Sequence, residues 1–379
     1  MTAAKETGDF VCGIWKYSVY PDHVTITGVT TPVSGKIEIP AELDGHKIDY
    51  VTINDFKKND QITEAVIGEG IEYIASSIFT GCKNLKKVTL PSTLERISCD
   101  AFLNCISLTD INIPDSLIYV EPDLFSGCTA LKEIKLPETW SEVDMRLFKG
   151  CTSLETITIP SKVRSIASSA FEGCTSLKNV YLSDGLKEIK REAFKDCTSL
   201  KQITVPSTVE EIGNNAFEGC SSLTDITLCT GLKNIYQYAF KDCTSLREIK
   251  IPSTVKVIDN YIFDGCTNLE KITLNEGVLG IGYSSFKNLT SLKSFTVPVS
   301  LDFEQKTIYP FDGCTGLTEV KFAKGRKVIP GGIFRIIDSN IKRIIIPDTV
   351  TSIEDNAFEF SKIENIAIPK SVTRISGAF

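Results

Sequence analysis

"LKKVTLPSTLERISCDAFLNC", Leu85 to Cys105, carries the phrase from which the fold follows. As a pattern it reads L-x-x-I-x-L-P-x-x-L-x-x-I-x-x-x-A-F-x-x-C, then two residues, then the leucine that opens the next copy. Its phenylalanine recurs at 56, 79, 102, 125, 148, 171, 194, 217, 240, 263 and 286, each 23 residues after the last. A fixed period of this length predicts a repeat solenoid, because one such unit cannot bury its apolar face alone and must stack on its neighbours. Within the unit, Val88 and Leu90 straddle Thr89 with the alternation of a strand. Pro91 offers no N–H to a ladder and ends that strand. Leu94 and Ile97 turn inward again as a second short strand or turn, and Ala101-Phe102 fills the far side of the coil.

Outside this stretch the phrase is altered at both ends. Residues 1–52 lack it and are expected to form an N-terminal cap with short strands, leaving 53–379 as the repeat domain. "VTITGV" (Val24 to Val29) alternates as a strand, Asp44-Gly45 reads as a tight turn, and Trp15 and Tyr17 are placed to shield the first apolar layer. From Pro160 onward proline coils (Pro160, Pro206, Pro252, Pro298) alternate with coils carrying Gly185, Gly231, Gly277 and Gly325, so the turn after the first strand should alternate in conformation. After Phe286 the spacing loosens: Leu289 replaces the cysteine, and the next phenylalanines are Phe311, Phe334, Phe358 and Phe379.

Composition excludes several functions. The net charge is −7 with Lys and Arg interspersed among Asp and Glu, so no basic stripe is available for a nucleic-acid backbone. No apolar run approaches the roughly 18 residues of a membrane span. "MTAAKETGDF" lacks the apolar segment of a signal peptide; either the protein stays inside the cell or its export signal has been replaced. Ten of the 13 cysteines occupy one slot of the repeat, without CxxC or Cys-His metal spacing. They read as a buried column of thiols, with disulfides between neighbouring coils as the other reading. Cys12, Cys99 and Cys229 lie off the column and are the candidates for reactive thiols.

These repeats resemble the BspA-like leucine-rich repeat family of bacterial and protozoan surface proteins. The resemblance covers about residues 37 to 379 and rests on the I-P-x-x-L/V-x-x-I-x-x-x-A-F-x-G-C core, nearly complete at Ile159–Cys174 and Val205–Cys220. Commoner leucine-rich repeats carry Asn or Cys where this chain has Thr93, Leu117 or Val163, so their asparagine ladder is missing. The resemblance implies a right-handed leucine-rich repeat superhelix of short β-strands, with turns or short helical segments on the convex side. It also implies a surface or secreted adhesin that binds host matrix or partner-cell proteins, without catalytic residues.

An enzyme has little to stand on: the two histidines, His23 and His46, both fall in the leading segment, and no phosphate loop, nucleophile elbow or zinc spacing is present. No cofactor or metal is expected, and binding must come from exposed columns. The outward strand slots, Lys87/Thr89 through Lys271/Thr273, are polar and mixed in charge, with Tyr181 as their one aromatic. The slot two residues before each repeat phenylalanine is polar from Ser77 to Asn215, and then holds Tyr238, Tyr261, Ser284 and Tyr309. Tyr236 and Tyr283 lie close by. Stacking would gather these rings on one flank, where tyrosine supplies rigid amphipathic area. Two readings stand: a recognition patch for a protein or glycan, or rings that merely cover the coil edge where packing is irregular. The functions that remain are a protein-binding adhesin, a carbohydrate-recognition module using the tyrosine flank, and an intracellular interaction scaffold.

Overall fold

The computed structural model describes residues 7–301, 309–331, 341–359, 363 and 365–378. Phe334 and Phe379 lie outside them. The chain forms a β-solenoid of about 23-residue coils, and its elements group into two compact units, Met1–Ser183 and Asp184–Phe379. No helix occurs among the described residues; every regular element is a strand, joined by turns.

In the first unit the chain starts as an antiparallel sheet. Gly8–Cys12 pairs with Trp15–Val19, which pairs with Val24–Val29. From Val24–Val29 onward the pairing becomes parallel, because each further turn of a solenoid lays its strand alongside the last in the same direction. Two ladders result. One joins Gly35–Ile39, Ile62–Ile67, Lys87–Thr89 and Asp110–Ile111; the other joins Tyr50–Val51, Tyr73–Ile74, Arg96–Ile97 and Tyr119–Val120. Register advances by one coil each time, with Lys87 opposite Glu64 and Asp110, and Arg96 opposite Tyr73 and Tyr119. The Asp44-Gly45 turn is formed as expected, with both residues at positive φ (50° and 80°) between the paired Glu42–Leu43 and His46–Lys47.

A third side is held by turns rather than strands. There the phenylalanine N–H donates to the next coil, as in Phe79 to Ala101 (2.9 Å), Phe102 to Leu124 (3.1 Å) and Phe125 to Leu147 (3.0 Å). Behind these bonds Phe56, Phe79, Phe102, Phe125, Phe148 and Phe171 form one file, with centroids 5.5–5.7 Å apart and planes within 16°. In the second unit Phe194, Phe217, Phe240, Phe263 and Phe286 repeat it at 5.4–6.0 Å. The rings are fully buried and near-parallel, a spacing that leaves them offset rather than face to face. Where the sequence loosens, the file breaks: Phe286, Phe295 and Phe311 pack at interplanar angles of 31° to 65°.

The cysteines are free thiols. Within each unit the buried thiol donates to the carbonyl of an earlier phenylalanine, 26 residues back from Cys105 to Phe79 (3.1 Å) and from Cys220 to Phe194 (3.2 Å), and 28 back from Cys314 to Phe286 (2.9 Å). That carbonyl would otherwise be buried without a partner, which explains why a small side chain with a donor recurs there. Burial pushes these thiols up, Cys82 to about 11 and Cys174 to about 12.

The proline–glycine alternation has a structural basis in the second unit. Strand pairs form from a proline coil to the following glycine coil, as in Gln202–Thr204 with Asp225–Thr227 and Glu248–Ile251 with Lys271–Leu274. The step from glycine coil to proline coil adds a side-chain bond, the N–H groups of Gly185, Gly277 and Gly325 donating to the hydroxyls of Thr208, Ser300 and Thr349, and in two places a strand pair forms there as well, Glu188–Ile189 with Glu211–Ile212 and Glu319–Phe322 with Arg343–Ile345. Gly277 and Gly325 have the positive φ that the alternation suggested (116° and 109°). Gly231 does not; there a Cβ would collide with the Ser207 carbonyl, so close approach is what excludes a side chain.

Candidate functional site

The slot two residues before each phenylalanine has one property that composition hides. From the Phe79 coil onward its backbone is left-handed: Ser77 (φ 63°), Asp100 (59°), Asp123 (63°), Arg146 (52°), Ser169 (57°), Glu192 (57°) and Asn215 (59°). A left-handed residue lets the chain turn back into the phenylalanine, and Asn or Asp tolerates it best among residues with a side chain. Tyr238 (60°), Tyr261 (55°) and Tyr309 (29°) occupy the same slot. For a bulky aromatic this conformation costs about 1–2 kcal/mol per residue.

Three of the tyrosines touch. Tyr238 and Tyr261 stack at 5.0 Å with planes 16° apart, and Tyr283 meets Tyr261 edge-on at 5.4 Å and 71°. Tyr236 sits on the strand side of the same coil, its hydroxyl donating to Glu211 Oε1 at 3.4 Å beside a shallow 190 Å³ cleft lined by Glu188, Arg191 and Asn214. Tyr309 is 54% exposed and has no ring partner among the described residues. Tyr181 lies in the first unit, on the strand Asn179–Tyr181 opposite Thr158; it is 58% exposed and likewise has no ring partner there. Burial first, then the neighbouring Tyr283 and Tyr238, raise the Tyr261 phenol; burial and Glu211 raise Tyr236.

A charged column beneath the tyrosines was missed in the sequence. The residue after each phenylalanine alternates in sign, with Lys195, Glu218, Lys241, Asp264 and Lys287 in the second unit. Glu218 binds Lys195 at 2.8 Å and Lys241 at 3.0 Å, and Lys241 lies 5.9 Å from the Tyr238 ring centre. Burial alone would raise the Glu218 carboxyl; the hydrogen bonds from Lys195, Lys241 and Asn215 outweigh it and hold it below its usual range. Lys241 is pushed up to about 12, chiefly by Glu218. Reading the doubled period one position past the phenylalanine reveals this column.

A second aromatic row, also missed, lies in the first unit. Tyr20 stacks on His23 (4.5 Å, 16°), His23 packs on Tyr50 (4.7 Å), and Tyr50 meets Tyr73 edge-on (5.5 Å). The Arg96 guanidinium sits 5.8 Å over Tyr73 and is the register partner of exposed Tyr119. Tyr50, Tyr73, Arg96 and Tyr119 are spaced at 23, so the outward slot of the second strand was the signal.

Among the described residues no group of three His, Cys, Asp or Glu side chains is placed to hold a metal ion, and no helix is long and apolar enough to cross a membrane. Cys12 is not an activated thiol: a hydrogen bond with Asp44 raises it.

The model of the BspA type leucine rich repeat region matches residues 49–178, 96–215, 141–270, 187–309 and 257–379. The chain belongs to the BspA-type leucine-rich repeat family. Solved structures with this fold include a leucine-rich repeat protein from Bacteroides ovatus, 20% identical, with a TM-score of 0.69 over 97% of this chain and 100% of that one. The pneumococcal vaccine antigen PcpA is 19% identical, with a TM-score of 0.57 over 98% of both chains. A leucine rich cell surface protein from Faecalibacterium prausnitzii is 22% identical, with a TM-score of 0.50 over 99% of this chain and 96% of that one. No curated protein matches the sequence. At these identities the likeness is one of fold. The BspA-type assignment places the tyrosine slot and the charged column on a repeat scaffold of a kind that is typically not enzymatic.

Proposed function

We propose that this BspA-type chain is a non-enzymatic, adhesin-type protein of the cell surface or the secreted fraction. It holds a host-matrix or partner-cell protein through the flank of Tyr236, Tyr238, Tyr261, Tyr283 and Tyr309, with Tyr181 as a separate contact point. One observation carries this reading: two stacked tyrosines stand in a left-handed slot that suits Asn or Asp, and local strain of this kind persists where a function offsets it. Two proteins of like fold, the cell surface protein from Faecalibacterium prausnitzii and the pneumococcal vaccine antigen, support the location. Residues 1–52 act as the cap, a role supported by Trp15 lying edge-on to Phe56 at 6.4 Å at the head of the file.

The stacking favours a protein over a sugar at the centre of the flank. A pyranose packs on an open ring face, and Tyr238 and Tyr261 turn faces toward each other. A glycan is the second reading at Tyr309 and Tyr181, whose exposed rings have no aromatic neighbour among the described residues. The test is the triple variant Tyr238→Asn, Tyr261→Asn, Tyr283→Ser, screened beside the parent on arrays of extracellular-matrix proteins and of glycans. Asn suits the left-handed slot, so the variant should melt within a few degrees of the parent, while matrix-protein binding falls by at least about tenfold, or roughly 1.4 kcal/mol. Unchanged binding by the folded variant rejects the flank.

A further inference from the structure

One coil of the first unit is open. Residues 131–137 keep the full sequence phrase, with Leu131, Ile134, Leu136 and Pro137 in their slots, yet Glu133–Lys135, expected as a strand, forms none. The first ladder stops at Asp110–Ile111 and resumes at Thr156–Thr158; the second has no pairing between Tyr119–Val120 and Glu142–Val143. Across the first gap the one backbone bond among the described residues is from Glu155 to the Lys132 carbonyl, at 3.0 Å. On the phenylalanine side the same coil is closed, with Asp123 bonded to Met145 and Phe125 to Leu147 at 3.1 and 3.0 Å.

Trp140 is the wedge. It occupies the slot held by Leu94, Leu117 and Val163 in the flanking coils, it is buried, and its Nε1 donates to the Leu117 carbonyl at 2.7 Å. An indole in a space that holds Leu or Val in other coils must displace its neighbours; the second unit also has a step unpaired on both strand sides, between Asn234–Ile235 and Val257–Ile258, where the slot holds Val255. Asn112 turns the neighbouring strand away as well: its side-chain amide, rather than its main chain, exchanges two 2.8 Å bonds with Leu90. The result is a cavity of about 560 Å³ lined by Thr109, Ile111, Ile134, Glu138 and Thr158, among others. Ladder gaps in the second unit are different in kind, since Ile226 and Ile249 flank one and both stay buried. Here Ile111, Ile113 and Ile134 are each half-exposed in slots that face the core elsewhere.

We propose that this opening is a docking cleft for an extended peptide segment of a partner protein, bearing alternating apolar and basic side chains. Two observations set the chemistry. Asp110–Ile111 and Thr156–Thr158 are each paired on the side away from the gap and have no ladder partner toward it, and Glu133–Leu136 between them has none on either side; an added strand pairs with just such edges. Three carboxylates rim it, Asp110, Glu133 and Glu138, against the single cation Lys135; Asp110 is held by Lys87 at 3.0 Å, while Glu133 and Glu138 have no ion pair among the described residues. The half-exposed isoleucines take the apolar side chains and the two glutamates take the basic ones.

The probe is an acetylated, amidated Val-Lys hexapeptide, titrated into the full chain and followed by hydrogen exchange at residues 133–136, whose N–H groups have no backbone partner among the described residues. Saturable slowing of exchange confined to these amides is expected. The same peptide N-methylated at alternate amides, and its Val-Glu counterpart, should bind at least about tenfold more weakly. Glu133→Gln with Glu138→Gln should weaken the Val-Lys peptide by a similar factor. Trp140→Leu should close the coil, protecting 132–136 in the free protein and removing peptide binding. If that variant fails to fold, the paired glutamine substitutions carry the test. The proposal is overturned if no saturable protection develops, if the N-methylated or acidic peptide binds equally well, or if protection grows with protein concentration alone, which would make the occupant a second copy of the chain.

Discussion

The coil around Phe217 in the second unit and the coil around Phe148 in the first share the same sentence of sequence and differ in how many sides they close. Around Phe217 the strand pairs Gln202–Thr204 with Asp225–Thr227 and Glu211–Ile212 with Asn234–Ile235 are formed, and the turn side is bonded from Phe217 to Ala239 at 2.8 Å. Around Phe148 the turn side is equally tight, 2.8 Å from Phe148 to Ala170, and Glu142–Val143 pairs with Ser165–Ile166 of the following coil, but Glu133–Lys135 forms no strand and, among the described residues, nothing on the strand sides pairs with the preceding coil. The phenylalanine file does not register the difference: spacings are 5.6 Å at Phe125–Phe148 and 5.6 Å at Phe217–Phe240. The lesson is that the Phe–Cys side sets the stack and the strand sides adapt to it.

Breaking the shared side should therefore cost the same in both places. Phe125→Ala and Phe217→Ala are each expected to lose about 3–5 kcal/mol in denaturant melts, the cost of a large core cavity. A much smaller loss at Phe125 would mean that the open coil is already loose throughout. The next effect concerns the charged column of the closed region. Glu218→Gln should cost on the order of 1–3 kcal/mol at neutral pH, because two lysines lose a buried acceptor. The folded carboxyl is held below its unfolded value, so its stabilisation is present above the unfolded pKa and is lost as pH falls through the folded one. Parent and variant melts should converge in acid and diverge toward pH 7.

Backbone geometry gives a third, smaller effect. Gly219 has φ 72° and faces Asp196, whose Oδ1 would meet an added Cβ. Gly219→Ala should cost about 1–2 kcal/mol, with part recovered when Asp196→Gly removes the clash, read from the melting temperatures of the double-mutant cycle. The smallest effect is chemical. Thiol alkylation of the native protein at pH 8 should label Cys12, Cys99 and Cys229, and reach the buried column only in denaturant, in mass spectra of intact chains. Rapid labelling of Cys128 or Cys151, beside the open coil, would show that the Phe–Cys side opens too.

What was legible in the sequence follows the same division. The file of phenylalanines, the thiols and the strand after each repeat leucine could be read because each slot keeps one chemistry over many coils. The opening at residues 131–137 could not, since Ile134 and Leu136 preserve the pattern, and the bulky Trp140 beside it stands in a slot where any apolar side chain satisfies the period. The grouping of Tyr238, Tyr261 and Tyr283 was legible from spacing alone, but the left-handed backbone beneath two of them was not, because polar residues at Ser77 to Asn215 look like ordinary solvated positions. The row of Tyr50, Tyr73, Arg96 and Tyr119 escaped notice because its slot mixes an arginine among aromatics and lies on the shorter second strand.

Native-state hydrogen exchange compares the two coils most directly. The account predicts that the N–H groups of Phe125, Phe148 and Phe217 exchange with similar, high protection, while residues 133–136 exchange freely and Gln202–Thr204 and Asp225–Thr227 do not. Strong protection at 133–136, or weak protection at Phe125 and Phe148, would contradict the claim that the phenylalanine side carries the backbone bonding between the open coil and the coil before it.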